Sequence, residues 1–216
     1  MRKHWLLLAA AGFALLNGCA HGVTPDYTEQ NTPGIDDRTV FYCNGLRVVQ
    51  DLLEVNEYNL KYKLCEPFTE VKTITIHNTA NKAPAQNERD YLNRRRDNVS
   101  ISFHFAVDEN EAIQIMPLFM HAWHAGDGRG EGNMNSIAIE ICRSTLYDGD
   151  LYPRAEANAV KLAAYLLYIY RLDVDDLRMH YDWNGKKCPH RIIEDNRWDE
   201  FKMRVAASLE NLKRQR

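Results

Sequence analysis

The order of signals along this chain predicts an α/β fold: a mixed central β-sheet flanked by helices. Short β-branched or alternating apolar runs recur at "VKTITIHNTA", "VSISFHFAVDENEAIQIMP" and "SIAIEIC". Longer stretches with apolar residues at helical spacing follow them, above all "RAEANAVKLAAYLLYIYRL" and "RWDEFKMRVAASLENLKR". Strands interleaved with amphipathic helices bury a sheet under helical layers, the α/β or α+β arrangement. With 216 residues, 45% of them hydrophobic and 26% charged, the chain has enough apolar material for one compact domain plus appendages.

Residues 1–18 stand apart from that domain. A basic stub (Arg2, Lys3) precedes an apolar run from Trp5 to Leu16, then Asn17-Gly18-Cys19. The run is too short for a permanent transmembrane helix and has the three-part layout of a secretory signal. Its end, "LNGC", resembles a bacterial lipobox. The expectation is a lipoprotein signal peptide over 1–18, cleaved before Cys19, with Cys19 lipidated. That would give an exported, membrane-anchored lipoprotein, in the inner leaflet of the outer membrane if the cell has one. Residues 19–43 are polar, with Pro and Gly and no apolar period, and read as a flexible tether. The folded domain is expected over 44–216.

Within the domain, "LRVVQDLLEVNEY" is a lead-in segment, helical or extended. "VKTITIHNTA" alternates and reads as a strand ending at His77; "NERDYLNRRRD" has helix-forming composition. "VSISFHFAVDENEAIQIMP" reads as a hairpin around "DENE", and "HAWHAGDGRGEGNMN" as a polar, glycine-rich loop of the kind that carries function. "SIAIEIC" is a further strand, and the two long helices close the chain.

There are 27 basic and 30 acidic residues, a formal net charge of −3, so no basic excess points to nucleic acid. The local cluster "RRRD", Arg94 to Asp97, reads as a solvated helix face. Cys43 and Cys65 flank one poorly patterned segment and are candidates for a disulfide in an exported chain. Cys142, at the end of an apolar strand, reads as a buried thiol.

The chemistry concentrates in "HYDWNGKKCPH", His180 to His190. An imidazole and a thiolate eight residues apart suit zinc, but alone they are a weak signal. His77, at the end of a strand, supplies a third donor. Two histidines and one cysteine leave the fourth tetrahedral position open, as catalytic rather than structural zinc requires. Glu140, inside "IAIEI", either points to solvent or enters the cleft, where it could shuttle a proton from water to a leaving group. Lys186, two residues before Cys188, is placed to stabilise a developing oxyanion.

Five segments carry a resemblance: "ITIHNTAN", "SFHFAVDENEAIQIMP", "AWHAGDG", "NSIAIEIC" and "HYDWNGKKCP", in that order. Together, over residues 44 to 205, the chain resembles the zinc-dependent N-acetylmuramoyl-L-alanine amidases, the phage-lysozyme-type group related to peptidoglycan recognition proteins. The resemblance implies one Zn2+ per chain in a surface groove, with His77, His180 and Cys188 as ligands. It also implies Glu140 as the acidic residue beside the metal and Lys186 as the catalytic lysine. The expected reaction is hydrolysis of the amide between N-acetylmuramic acid and L-alanine of the stem peptide, in peptidoglycan or muropeptides, by a monomer that does not bind nucleic acid. Alternatives are a recognition module without hydrolysis and a zinc peptidase cutting within the stem. One departure is Phe103, where some relatives carry a catalytic tyrosine. His124 and Trp123, in the polar loop, are expected to touch substrate. His104 is counted with them as a substrate-binding candidate, with a structural role as the open alternative.

Overall fold

A computed structural model describes residues 38–215. The expected signal peptide, Cys19 and residues 20–37 of the tether lie outside the described residues.

Seven strands form one sheet: β1 (Thr39–Cys43), β2 (Leu46–Gln50), β3 (Thr73–Asn78), β4 (Phe105–Val107), β5 (Ala112–Gln114), β6 (Ser136–Ile141) and β7 (Leu177–Met179), in spatial order β1-β2-β5-β4-β6-β3-β7. β1–β2 and β4–β5 are antiparallel hairpins, whereas β4, β6, β3 and β7 run parallel as consecutive neighbours. The sheet is therefore mixed, as expected. The helices are α1 (Glu57–Tyr62), α2 (Ala85–Arg94), α3 (Glu131–Asn135), α4 (Leu151–Tyr170), α5 (His180–Asn184), α6 (His190–Glu194) and α7 (Trp198–Arg214).

The sheet begins at Thr39, inside the segment expected as tether. Its first hairpin turns at Asn44-Gly45, with φ of 52° and 71°. Those left-handed conformations suit a two-residue turn, and Asn-Gly is a strong hairpin signal. The expected boundary at residue 44 is thus corrected to include β1. Cys43 and Cys65 are both free. Cys43 packs in the core that includes α4 residues, while the Cys65 thiol donates to the Lys63 carbonyl at 3.3 Å. Cys142 is the buried thiol its strand context implied.

One sheet face packs on α4 and α7. Ile74 and Ile76 of β3 and Ile137, Ile139 and Ile141 of β6 alternate onto this face. Small residues on α4 (Ala155, Ala159, Ala163) let its axis lie close to them, with Leu162, Leu166 and Leu167 filling the margins. α7 adds Phe201, Val205 and Leu209, spaced four apart along one stripe. Glu156 of α4 is buried, and its charge is met at 2.9 Å by Arg197, the residue before α7, and at 2.6 Å by Arg204 of α7. The left-handed Arg171 (φ 58°) ends α4, and the Leu172 N–H returns to the Leu167 carbonyl. The opposite face packs on α2, whose first turn is held by Asp108 Oδ2 accepting from the Ala85 N–H at 2.9 Å. A groove lined by His77, Glu140 and His180 opens at the C-terminal ends of β3, β6 and β7.

Candidate functional site

In parallel sheets, ligands bind beyond the carboxyl ends of the strands. His77 is the penultimate residue of β3, Glu140 the penultimate residue of β6, and His180 follows β7 directly. These three strands are neighbours, and His77 and Glu140 are register partners. Because side chains alternate, the isoleucines beside Glu140 go to the core and Glu140 goes to the groove with His77. The carboxylate that pattern alone could not orient thus stands with Oε1 3.9 Å from His77 Nδ1.

His77 Nδ1 lies 3.0 Å from His180 Nδ1 and 3.8 Å from Cys188 Sγ. All three residues are buried, and their donor atoms lie within 4.8 Å of one another, a set that can hold a metal ion. The loop 185–188 folds back so that the Tyr181 N–H meets the Cys188 carbonyl at 3.0 Å, and the Asn78 N–H donates to Cys188 Sγ at 3.4 Å. Glu140 Oε2 is buried without a hydrogen-bond partner. The groove encloses about 440 Å³. Its walls include Ser100, Phe103, Trp123 and Gly128, with Lys186 exposed at the rim.

Burial, aided by His124, His180 and Lys186, holds the His77 imidazole well below its ordinary range. Burial and then Lys186 bring His180 down to about 4. Both rings are therefore neutral at neutral pH, the state in which imidazole ligates metals. Burial, then Glu140, pushes the Cys188 thiol up to about 12; burial, then Glu88, pushes Glu140 up to about 8. A cation between these groups acts against both shifts.

The remaining expected residues divide. Trp123 lines the groove. His124 reaches the groove wall, but both its ring nitrogens are engaged: Nδ1 with His77 Nε2 at 3.0 Å and Nε2 with the Ser136 carbonyl at 3.3 Å. A substrate contact through either nitrogen would break one of these bonds. His104 is fully buried and does not fit the expected substrate contact. Its Nδ1 accepts from the Ala138 N–H at 3.0 Å, its Nε2 bonds the Met120 carbonyl at 2.8 Å, and Phe68 stacks on the ring.

Several supporting residues carried no sequence signal of their own. Asn133 Oδ1 accepts from both the His124 and Ala125 N–H groups at 2.8 Å. Asn184 donates to the Ala125 carbonyl at 2.9 Å and lies 3.2 Å from His180 Nε2. Gly126 (φ +67°) is needed because a Cβ there would overlap the Asn184 amide. Trp183 Nε1 donates to Thr75 Oγ1 at 3.0 Å, tying α5 to β3.

Residues 67–191 match the N-acetylmuramoyl-L-alanine amidase family Amidase_2. The chain belongs to this family. It is 44% identical over 169 residues to N-acetylmuramoyl-L-alanine amidase CwlA of Bacillus subtilis, covering 78% of this chain and 60% of the relative. It is 45% identical over 166 residues to N-acetylmuramoyl-L-alanine amidase XlyB of the same species, covering 76% and 50%. This chain thus matches about half to three-fifths of these curated relatives' lengths. The solved structure of PlyL superposes with a TM-score of 0.66 at 41% identity, covering 72% of this chain and 94% of that one. The mixed sheet and flanking helices agree with that structure, as the sequence led us to expect.

The expectation of an exported lipoprotein is corrected by the same findings. The relatives are amidases of the Bacillus CwlA and XlyB kind, and neither they nor PlyL support a lipid-anchored membrane protein. Among the described residues no helix is long and apolar enough to cross a membrane. Against these relatives the signal peptide over residues 1–18, the lipid on Cys19 and the outer-membrane placement are not supported.

Proposed function

We propose that this protein is a zinc-dependent peptidoglycan amidase that hydrolyses the bond between N-acetylmuramic acid and L-alanine of the stem peptide. The observation that carries the reading is the convergence of His77, His180 and Cys188 within 4.8 Å beside Glu140, at the floor of one groove. Family membership supplies the substrate class.

The residues fit zinc. Bond lengths of about 2.0–2.1 Å to nitrogen and 2.3 Å to sulfur, at tetrahedral angles, imply separations of about 3.3 Å between nitrogens and about 3.6 Å between nitrogen and sulfur. The corresponding distances are 3.0 Å and 3.8 Å. Two neutral imidazoles and a cysteine also make a borderline-soft donor set suited to this ion. Bound there, zinc supplies Lewis-acid polarisation of a carbonyl and acidification of water.

The protein groups then do the following. Glu140 takes a proton from the attacking water on a carboxylate oxygen and returns it to the departing amine of L-alanine. Its buried, unpartnered Oε2 is available for that transfer. Lys186, at the rim, meets the negative charge that develops on the lactyl carbonyl oxygen. Trp123 and Phe103 offer apolar faces to the sugar and peptide, and Phe103 contributes no hydroxyl to the chemistry. His77, His180 and Cys188 would hold the ion beside Glu140 in the groove.

The test is to digest intact peptidoglycan with the full chain and identify the residue whose amine is newly freed. Free L-alanine amines together with peptide-free glycan support the amidase. A free amine on a later stem residue would replace it with a peptidase, and tight wall binding without cleavage would leave a recognition module.

A further inference from the structure

We propose that His124 is a positioning residue for the metal ligands, fixing the tautomer and aim of His77, and is not a substrate contact. The inference rests on the reading of His77, His180 and Cys188 as zinc ligands. It follows from hydrogen-bond directions. The Ser136 carbonyl can only accept, and it lies 3.3 Å from His124 Nε2, so that nitrogen carries the ring proton. In the neutral ring His124 Nδ1 is then a lone pair, 3.0 Å from His77 Nε2. His77 Nε2 must therefore donate. That leaves the lone pair of His77 on Nδ1, the atom facing His180 and Cys188. A backbone carbonyl at the start of β6 thereby sets the ligating nitrogen two rings away.

The support is built to hold this geometry. The His77 and His124 rings meet edge to face, with centroids 5.1 Å apart, and both residues are buried. Asn133 Oδ1 anchors the backbone of His124 and of Ala125 with two bonds of 2.8 Å. The Ala125 carbonyl in turn takes the Asn184 amide, which stands 3.2 Å from His180 Nε2. Two consecutive residues, pinned by one side-chain oxygen, thus lie behind both imidazole ligands. Outer partners of metal-bound histidines orient the ring and raise its basicity, and their loss typically costs 10- to 100-fold in metal affinity.

The experiment compares wild type, H124N and H124F as full chains. Zinc affinity is read by competition with a chromophoric chelator, geometry by the visible spectrum of the cobalt-substituted protein, and folding by melting of the metal-free protein. Asn places an oxygen where His124 Nδ1 stands, so H124N is expected to stay within about threefold of wild type. H124F keeps the ring volume without the acceptor; it is expected to bind zinc roughly 10- to 100-fold more weakly, with a shifted cobalt spectrum. Wild-type affinity in H124F, or equal losses in both variants, overturns the proposal while leaving the zinc reading intact. A wild-type chain that binds no zinc overturns both. Should H124F fail to fold, N133D and N133A carry the comparison. The first keeps the anchoring oxygen and is expected to bind zinc more tightly than the second; equal affinities overturn the proposal.

Discussion

Acid should destabilise this fold through His104 in a way that can be isolated. The ring is fully buried, Nδ1 accepts from the Ala138 N–H and Nε2 bonds the Met120 carbonyl. Protonating Nδ1 breaks the first of these bonds and buries a charge. Burial, with a smaller contribution from His121, brings the folded-state value down to about 4, against 6.5 when unfolded. In that window the unfolded chain binds a proton that the folded chain refuses. Stability is therefore complete above about pH 6.5 and is lost as pH falls toward 4. Between pH 7.5 and 4.5 this single group costs about 2.5 kcal/mol, from about 1.36 kcal/mol per pKa unit. The assay is urea denaturation at both pH values for wild type and H104N, both in chelator. The variant starts less stable because it loses native hydrogen bonds, but its decline with pH should be shallower by about 2.5 kcal/mol. Equal declines, within about 0.5 kcal/mol, would refute the argument that His104 is a neutral, doubly bonded strut.

E140Q should keep zinc and fold but lose about 10²- to 10⁴-fold in the rate of amide hydrolysis, measured by release of stem peptide. K186M should lower kcat by roughly 10² to 10³ with little change in melting temperature, since Lys186 is exposed at the rim. I76A should cost about 2–5 kcal/mol in urea denaturation, because Ile76 is fully buried between β6, β7 and α4.

The periodic elements were legible in the sequence because one force shaped each of them. β3 and β6 alternate because one face meets α4, and α4 and α7 show their stripes because they pack on that face. The candidate metal triad was legible only as a set of compatible donors, since no spacing rule joins residues 77 and 188; parallel pairing of β3 with β6 and β7 brings them together. Glu140 could not be oriented from its neighbours alone, since an outward and an inward carboxylate share one alternation pattern. β1 was missed although Asn44-Gly45 marked its hairpin, because the polar composition before it resembled a tether. β7 is three residues long, too short for any period to show. The histidines outside the triad were the least legible: His104 and His124 both sit in motif segments. What separates a strut from a ligand support is the bond each ring nitrogen makes, which only the folded chain displays.

The central claim is that His77, His180 and Cys188 hold the zinc on which amide hydrolysis depends. The most direct measurement is zinc content per chain alongside L-alanine amine release from peptidoglycan, for wild type and C188A, with zinc stripped and then restored. The account predicts one zinc per wild-type chain, activity that disappears on stripping and returns in proportion to zinc restored, and neither zinc nor activity in C188A. Undiminished hydrolysis by the stripped chain, or a zinc-loaded and fully active C188A, would contradict it.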